Sequence, residues 1–221
     1  RRARLRPVLA AIGRFTLDRV TPRDVEAAVA RVPTEAGRAR VWADLRRAFA
    51  EAVRRGLVAM NPVEMAPRPK YRPARTTVWT EEEARRFVEA TRRHPHGLIF
   101  RFALGTGMRL GEILGLEWRH VDLDRSVVHV EQDLEFVPGG WRLGEPKTAR
   151  ARRAVLLPPE LVDELRSVRK DGERFVFGPR YRPQTLSRWM KDLCRSAGVP
   201  GARFHDLRHA HVTILLSRGA P

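Results

Sequence analysis

The sequence predicts a mainly α-helical protein of two domains, the second carrying a small antiparallel three-stranded β-sheet. Three observations carry this reading. Apolar residues recur three and four apart over most of the chain. The period changes to two in SVVHVEQ and in RAVLLP. A stretch of three prolines and four basic residues, PRPKYRPAR at 67–75, has no apolar periodicity and suits an extended connection.

In the first domain, TPRDVEAAV opens a helix: Thr21 suits an N-cap, Pro22 the first helical position, and Asp24 stands at capping-box spacing. Val41, Trp42, Leu45, Ala48, Phe49, Ala52 and Val53 then mark an apolar stripe. The other faces of that helix carry Arg38, Arg40, Arg46, Arg47, Arg54 and Arg55. With RRARLRPVLAAIG before it, 1–66 reads as a helical bundle, and 67–77 as a basic linker. Thr80 and Glu83 form a second capping box, and LIFRFALGTGMRLGEILGL reads as two helices around a turn at Gly105–Gly107. Leu110, Ile113 and Leu114 are expected to face a core. SVVHVEQ, WRLGE and RAVLLP supply the three strands, with PGG as a turn. Helical periods resume in PPELVDELRSVRK, PQTLSRWMKDLCRSAG and HDLRHAHVTILLSRG, so 78–221 forms the second domain.

Lys plus Arg number 43 against 26 Asp plus Glu, a net charge of +17. Such an excess favours a polyanionic partner, nucleic acid first, although a solvated basic surface also fits composition alone. No window approaches the ~18 consecutive apolar residues of a membrane span, and the first residues lack the apolar core of a secretory signal, which points to a cytosolic protein. Cys194 is the sole cysteine, which excludes an intramolecular disulfide and a cysteine zinc cluster. The chain starts without methionine and stops at LLSRGAP after an apolar helical run, so both domains are expected to be incomplete at their outer ends.

RFHDLRHAHVT at 203–213 concentrates the chemistry. His205 and His209, one helical turn apart around an acid, superficially match the His-Glu-x-x-His zinc pattern. Asp206 is shorter than the usual glutamate, Arg208 would set a fixed positive charge beside a divalent cation, and no third ligand is flagged by spacing. The competing reading is a phosphate site. His205 and Arg208 are neighbours on one helical face near a helix start, and a guanidinium gives two parallel charge-assisted hydrogen bonds to phosphate oxygens. Arg109, just after a glycine turn, stands at a second such helix start.

TGMRLGEILGL, EPKTARARRAVLLP and FHDLRHAHVT resemble, in order, the three signature boxes of the tyrosine recombinase (phage integrase) family. The resemblance covers about residue 78 to the end, and 1–66 is similar to the second half of the family's helical core-binding domain. It implies a two-domain clamp around double-stranded DNA, with Arg109 as the first catalytic arginine and Lys147 as the lysine of a strand-connecting turn. His205 and Arg208 are similar to the His-x-x-Arg pair, and Glu112 to the acid that supports the first arginine. Phosphoryl transfer needs positioning and charge stabilisation, which two arginines supply. A lysine beside other cations suits protonation of the leaving 5′ oxygen. No cofactor and no metal are implied. The family implies a homotetramer on DNA, with this chain alone a possible monomer, in a bacterial, archaeal or phage-encoded cytoplasmic system. EQDLEFVPGGW is more similar to phage and transposon integrases than to chromosome-dimer resolvases.

Tyr71 and Tyr181 are the only tyrosines, and neither matches the family's nucleophile box. The chain is therefore expected to bind DNA without cleaving it, the whole protein acting through a 3′-phosphotyrosyl intermediate. A catalytically inactive regulator of recombination or transposition stays open beside this, as does, more remotely, a zinc hydrolase. Arg46, Arg68, Lys70 and Arg72 are candidate DNA-backbone contacts, with a solvated basic face as the alternative.

Overall fold

The computed structural model describes residues 2–72, 78–145 and 152–219. The chain divides into two compact units, Arg1–Arg75 and Thr76–Pro221.

The first unit packs α1 (Arg2–Ile12), α2 (Pro22–Ala30), α3 (Glu35–Arg54) and the short α4 (Pro62–Met65) around Val8, Val25, Val41, Phe49 and Val63. The Thr21 capping box forms: the Thr21 N–H donates to Asp24 Oδ2 at 2.9 Å and the Asp24 N–H to Thr21 Oγ1 at 3.2 Å. Along α3 the buried stripe is narrower than the sequence suggests. Val41, Phe49 and Ala52 are buried, whereas Ala48 is exposed and Val53 lies at the margin. Residues 67–72 adopt no regular secondary structure; Arg68, Pro69, Lys70 and Tyr71 line a cleft of about 420 Å³ against α3.

The second unit begins with α5 (Glu81–Arg92), held by the Thr80–Glu83 capping box, in which the Thr80 N–H donates to Glu83 Oε2 at 2.8 Å. α6 (Leu98–Thr106) ends at Gly107, and α7 (Leu110–Gly115) follows after two residues. Gly105 lies inside α6; the turn is made by Gly107, whose φ of +60° only glycine adopts cheaply. Ile113 and Leu114 are buried and Leu110 partly so.

The three-stranded antiparallel sheet is present, with different members from those expected. Its order is β1 (Val121–Asp122), β2 (Val127–Val130), β5 (Arg153–Leu156). The expected strand WRLGE is β4 (Gly140–Gly144), which pairs with β3 (Asp133–Val137) in a separate hairpin. The reason is the turn: Gly139 and Gly140 take φ of +98° and +132°, which reverses the chain at once and fixes the register Val137↔Gly140. The hairpin packs on α7, where a Cβ on Gly111 would meet Asp133 Oδ2 at 2.4 Å. α8 (Pro159–Val168), α9 (Pro183–Ala197) and α10 (Asp206–Ser217) complete the unit, with α9 packed on α5 and α10 on α6. Phe87, Phe100, Phe102, Ile113, Leu186 and Leu207 form its core. No helix among the described residues is long and apolar enough to cross a membrane.

Candidate functional site, an arginine cluster around Glu112

The cluster is built on the α6–α7 turn. Arg109 is the N-cap residue of α7, with extended backbone, and Glu112 three residues later reaches back to it. The Arg109 N–H donates to Glu112 Oε2 at 2.9 Å, and Arg109 Nη1 to Oε1 at 2.8 Å. A capping-box acid thus orients a cation as well as a helix end. From the first position of β5, Arg153 donates to the same carboxylate, Nη1 to Oε1 at 3.2 Å and Nη2 to Oε2 at 2.8 Å. Burial pushes the Glu112 carboxyl upward, but the hydrogen bonds from Arg153 and Arg109 prevail and hold it below its ordinary value.

Arg208, on the first turn of α10, donates from Nη1 to the carbonyl of Gly107, a residue 101 positions away in the chain. That contact closes the turn onto α10, as does His211, whose Nδ1 lies 2.8 Å from the carbonyl oxygen of Leu104. A Cβ on Gly107 would meet the His211 ring at 2.4 Å, so α6 and α10 approach this closely only around a glycine. Burial first, then the charges of Arg109 and Arg153, lower the Arg208 pKa, with Glu112 opposing them. The guanidinium stays charged. Arg109, Arg153 and Arg208 against Glu112 sum to +2, a suitable balance for a phosphate diester and its more charged transition state. Arg153 and Arg208 line a cleft of about 300 Å³ with Thr106, His211 and Leu215. Arg109 opens on a neighbouring one of about 290 Å³ bounded by Phe136, Trp141 and Pro183.

His205 is the exposed N-cap residue of α10. Partial burial, followed by the charge of neighbouring His209, lowers its pKa, so the imidazole is mainly neutral at pH 7. The His205 and His209 rings meet edge to face at 5.1 Å. The acid between them is already engaged: Asp206 accepts from the Arg203 N–H at 2.8 Å and from Arg203 Nη2 at 2.9 Å. No group of three or more His, Cys, Asp or Glu placed to hold a metal occurs among the described residues. Lys147 lies outside the described residues. Tyr181 is buried, its hydroxyl 3.4 Å from His96 Nδ1.

Arg68, Lys70 and Arg72, in the first unit, are all exposed. Arg46 pairs with Glu64 at 3.1 Å, and Arg46 and Arg68 both approach the Trp42 ring, at 6.0 and 5.8 Å. The arginine face of α3 is less open than its composition suggests, since Arg47 pairs with Asp44 and both Arg54 and Arg55 with Glu51.

Sequence reasoning missed Arg153. In the folded strand Arg153 shares the half-buried face with Val155, while Ala154 and Leu156 are exposed.

The fold is that of DNA integrases: the Tn1549 transposon integrase, solved in complex with circular intermediate DNA, superposes with a TM-score of 0.80 at 18% identity, over 100% of this chain and 81% of that one. A lambda integrase tetramer bound to a Holliday junction matches with a TM-score of 0.70 at 17% identity, over 97% and 65%. The sequence profile of the phage integrase family matches residues 77–221, and the chain belongs to that family. Among curated relatives, a XerC-like tyrosine recombinase of Caldanaerobacter subterraneus subsp. tengcongensis is 29% identical over 213 residues, 80% of this chain and 54% of the relative. The chain spans about half the length of the first curated relatives it matches.

Proposed function

We propose that this chain is the DNA-binding part of a site-specific recombinase in which Arg109 and Arg208 clamp the non-bridging oxygens of the DNA phosphate to be attacked. The observation that carries the reading is the meeting of Arg208 with the α6–α7 turn, 101 positions distant in the chain, beside an arginine already oriented by a buried acid. Two guanidiniums on rigid helix starts stabilise charge on those oxygens without reorganising during the reaction. His205, neutral at pH 7, donates to the phosphate or relays a proton, and Lys147 protonates the leaving 5′ oxygen. The nucleophile in the whole protein is a tyrosine other than Tyr71 and Tyr181, attacking to form a 3′-phosphotyrosyl link and release the 5′ hydroxyl. The partner is double-stranded DNA, the assembly on it a homotetramer, and the compartment the cytoplasm, where that DNA lies. Arg46, Arg68, Lys70 and Arg72 contact the sugar–phosphate backbone.

The test has two arms. The chain itself should bind duplex DNA with log affinity falling linearly in log salt, and Arg208→Ala should weaken binding and lower the slope by about one. The whole protein should form a covalent adduct on a suicide DNA substrate, and Arg208→Ala should abolish it. DNA binding by the whole protein with no adduct under any condition would favour an inactive regulator instead.

A further inference from the structure

We infer that Arg153 is a positioning residue for Arg109, acting through the Glu112 carboxylate that both arginines share. The inference rests on the reading of Arg109 as a phosphate ligand. Each Glu112 oxygen takes one hydrogen bond from each arginine: Oε1 from Arg109 Nη1 and Arg153 Nη1, Oε2 from the Arg109 N–H and Arg153 Nη2. The terminal torsion of a glutamate is soft, so a carboxylate held only from the α7 side is free to turn and to offer Arg109 either oxygen. The planar fork of Arg153 fixes the carboxylate plane, which one point charge cannot do. Strand pairing in turn fixes the fork, because Arg153 is in register with Val130 of β2.

Exposure separates the two roles. The Arg153 side chain is 28% exposed and spends both terminal nitrogens on Glu112, whereas Arg109 is 52% exposed and gives the acid one side-chain hydrogen bond. Arg109 therefore keeps the larger open surface for a ligand, whereas Arg153, although it reaches the cleft that Arg208 lines, is committed to the acid through its fork. Arg153 also begins the strand that follows EPKTAR, the stretch containing Lys147, so one fork ties the α7 end of the site to the chain that carries the lysine.

The test uses this chain and a short duplex DNA, with affinity measured by fluorescence anisotropy across a salt series. Arg153→Lys keeps the charge and loses the fork. Positioning predicts that it weakens binding about threefold or more and lowers the salt slope as Arg109→Ala does. It also predicts that the double variant Arg109→Ala/Arg153→Lys binds no worse than Arg109→Ala alone. Wild-type binding by Arg153→Lys, or additive losses in the double variant, overturns the inference. If Arg109→Ala itself leaves binding unchanged, the phosphate reading of this corner fails. The positioning claim is then decided without DNA, from the Arg109 Nε–Hε NMR resonance, which should broaden and exchange faster in Arg153→Lys but not in a control Arg166→Lys. An unchanged resonance overturns it. Arg153→Ala is less informative because it leaves Glu112 short of a partner and endangers folding.

Discussion

Glu112 and Glu117 stand on either side of the α7 end, at 2% and 3% exposure, and each gathers arginines, yet they serve different ends. Glu117 accepts from Arg174 Nη2 at 2.8 Å and Gln132 Nε2 at 2.6 Å, and pairs with Arg119 at 2.8 Å. Its surroundings are a joint in the core: the Trp118 N–H donates to the Arg174 carbonyl at 3.1 Å and the Val176 N–H to that of Leu116 at 2.9 Å. Both carboxyls are pushed up by burial and held below their ordinary values by the groups that bond them. A buried acid with two arginines is therefore a structural device in itself. What distinguishes Glu112 is the third arginine, brought across Gly107 by α10.

The sharpest way to break that distinction is to move α10. Gly107→Ala forces a side chain into a left-handed backbone and against the His211 ring. It should cost roughly 3 kcal/mol by urea unfolding, from the backbone penalty and overpacking together. The folded fraction should also lose DNA affinity as Arg208 leaves its Gly107 contact. A fully stable variant with wild-type binding would show that the turn does not set the cluster.

Exchanging each acid for its amide tests the two joints against one another. Glu112→Gln and Glu117→Gln should each cost about 2 kcal/mol, less than a fully buried pair because their arginines can still reach water. Only Glu112→Gln should alter DNA binding. Both carboxyls have folded-state pKa values below the unfolded ones, so their stabilisation is complete above the ordinary carboxylate range and is lost as pH falls through the lowered values. Acid unfolding followed by circular dichroism should therefore be less steep in either amide variant than in the wild type. Equal steepness would remove the claim that these two acids drive it.

The helices and their starts were legible because their signals are local. Thr21 with Asp24, Thr80 with Glu83, and the stripe through Val41 and Phe49 are each written within a few residues. Arg109 and Arg208 were legible as helix-start cations, and the resemblance of three ordered stretches joined them. Two features were not legible. The PGG turn ahead of β4 is legible in the sequence, but β3 is not legible as a strand separate from β2, and the strand period is the same whichever neighbour β4 takes. Arg153 was hidden because a basic residue at the head of a strand in an arginine-rich chain carries no mark of its partner. Only the register with β2 brings it to Glu112.

The smallest effects belong to the first unit, where charge is spread and not gathered. Arg68 and Lys70 are exposed, whereas Arg46 already holds Glu64, both side chains of that pair being more than half exposed. Lys70→Ala should leave the melting temperature unchanged and Arg68→Ala should lower it only slightly, since an exposed side chain contributes little and Arg68 loses no more than its approach to the Trp42 ring. Each should reduce the salt slope of DNA binding by about one, equally for any duplex sequence, because backbone contacts carry charge but no base information. Arg46→Ala should do less, because DNA binding must first take Arg46 from Glu64. Glu64→Gln, which frees Arg46, should then tighten binding slightly. If Arg68→Ala instead changed affinity for one duplex sequence and not another, this stretch would read bases, and the contrast between a diffuse first unit and an organised second one would fail.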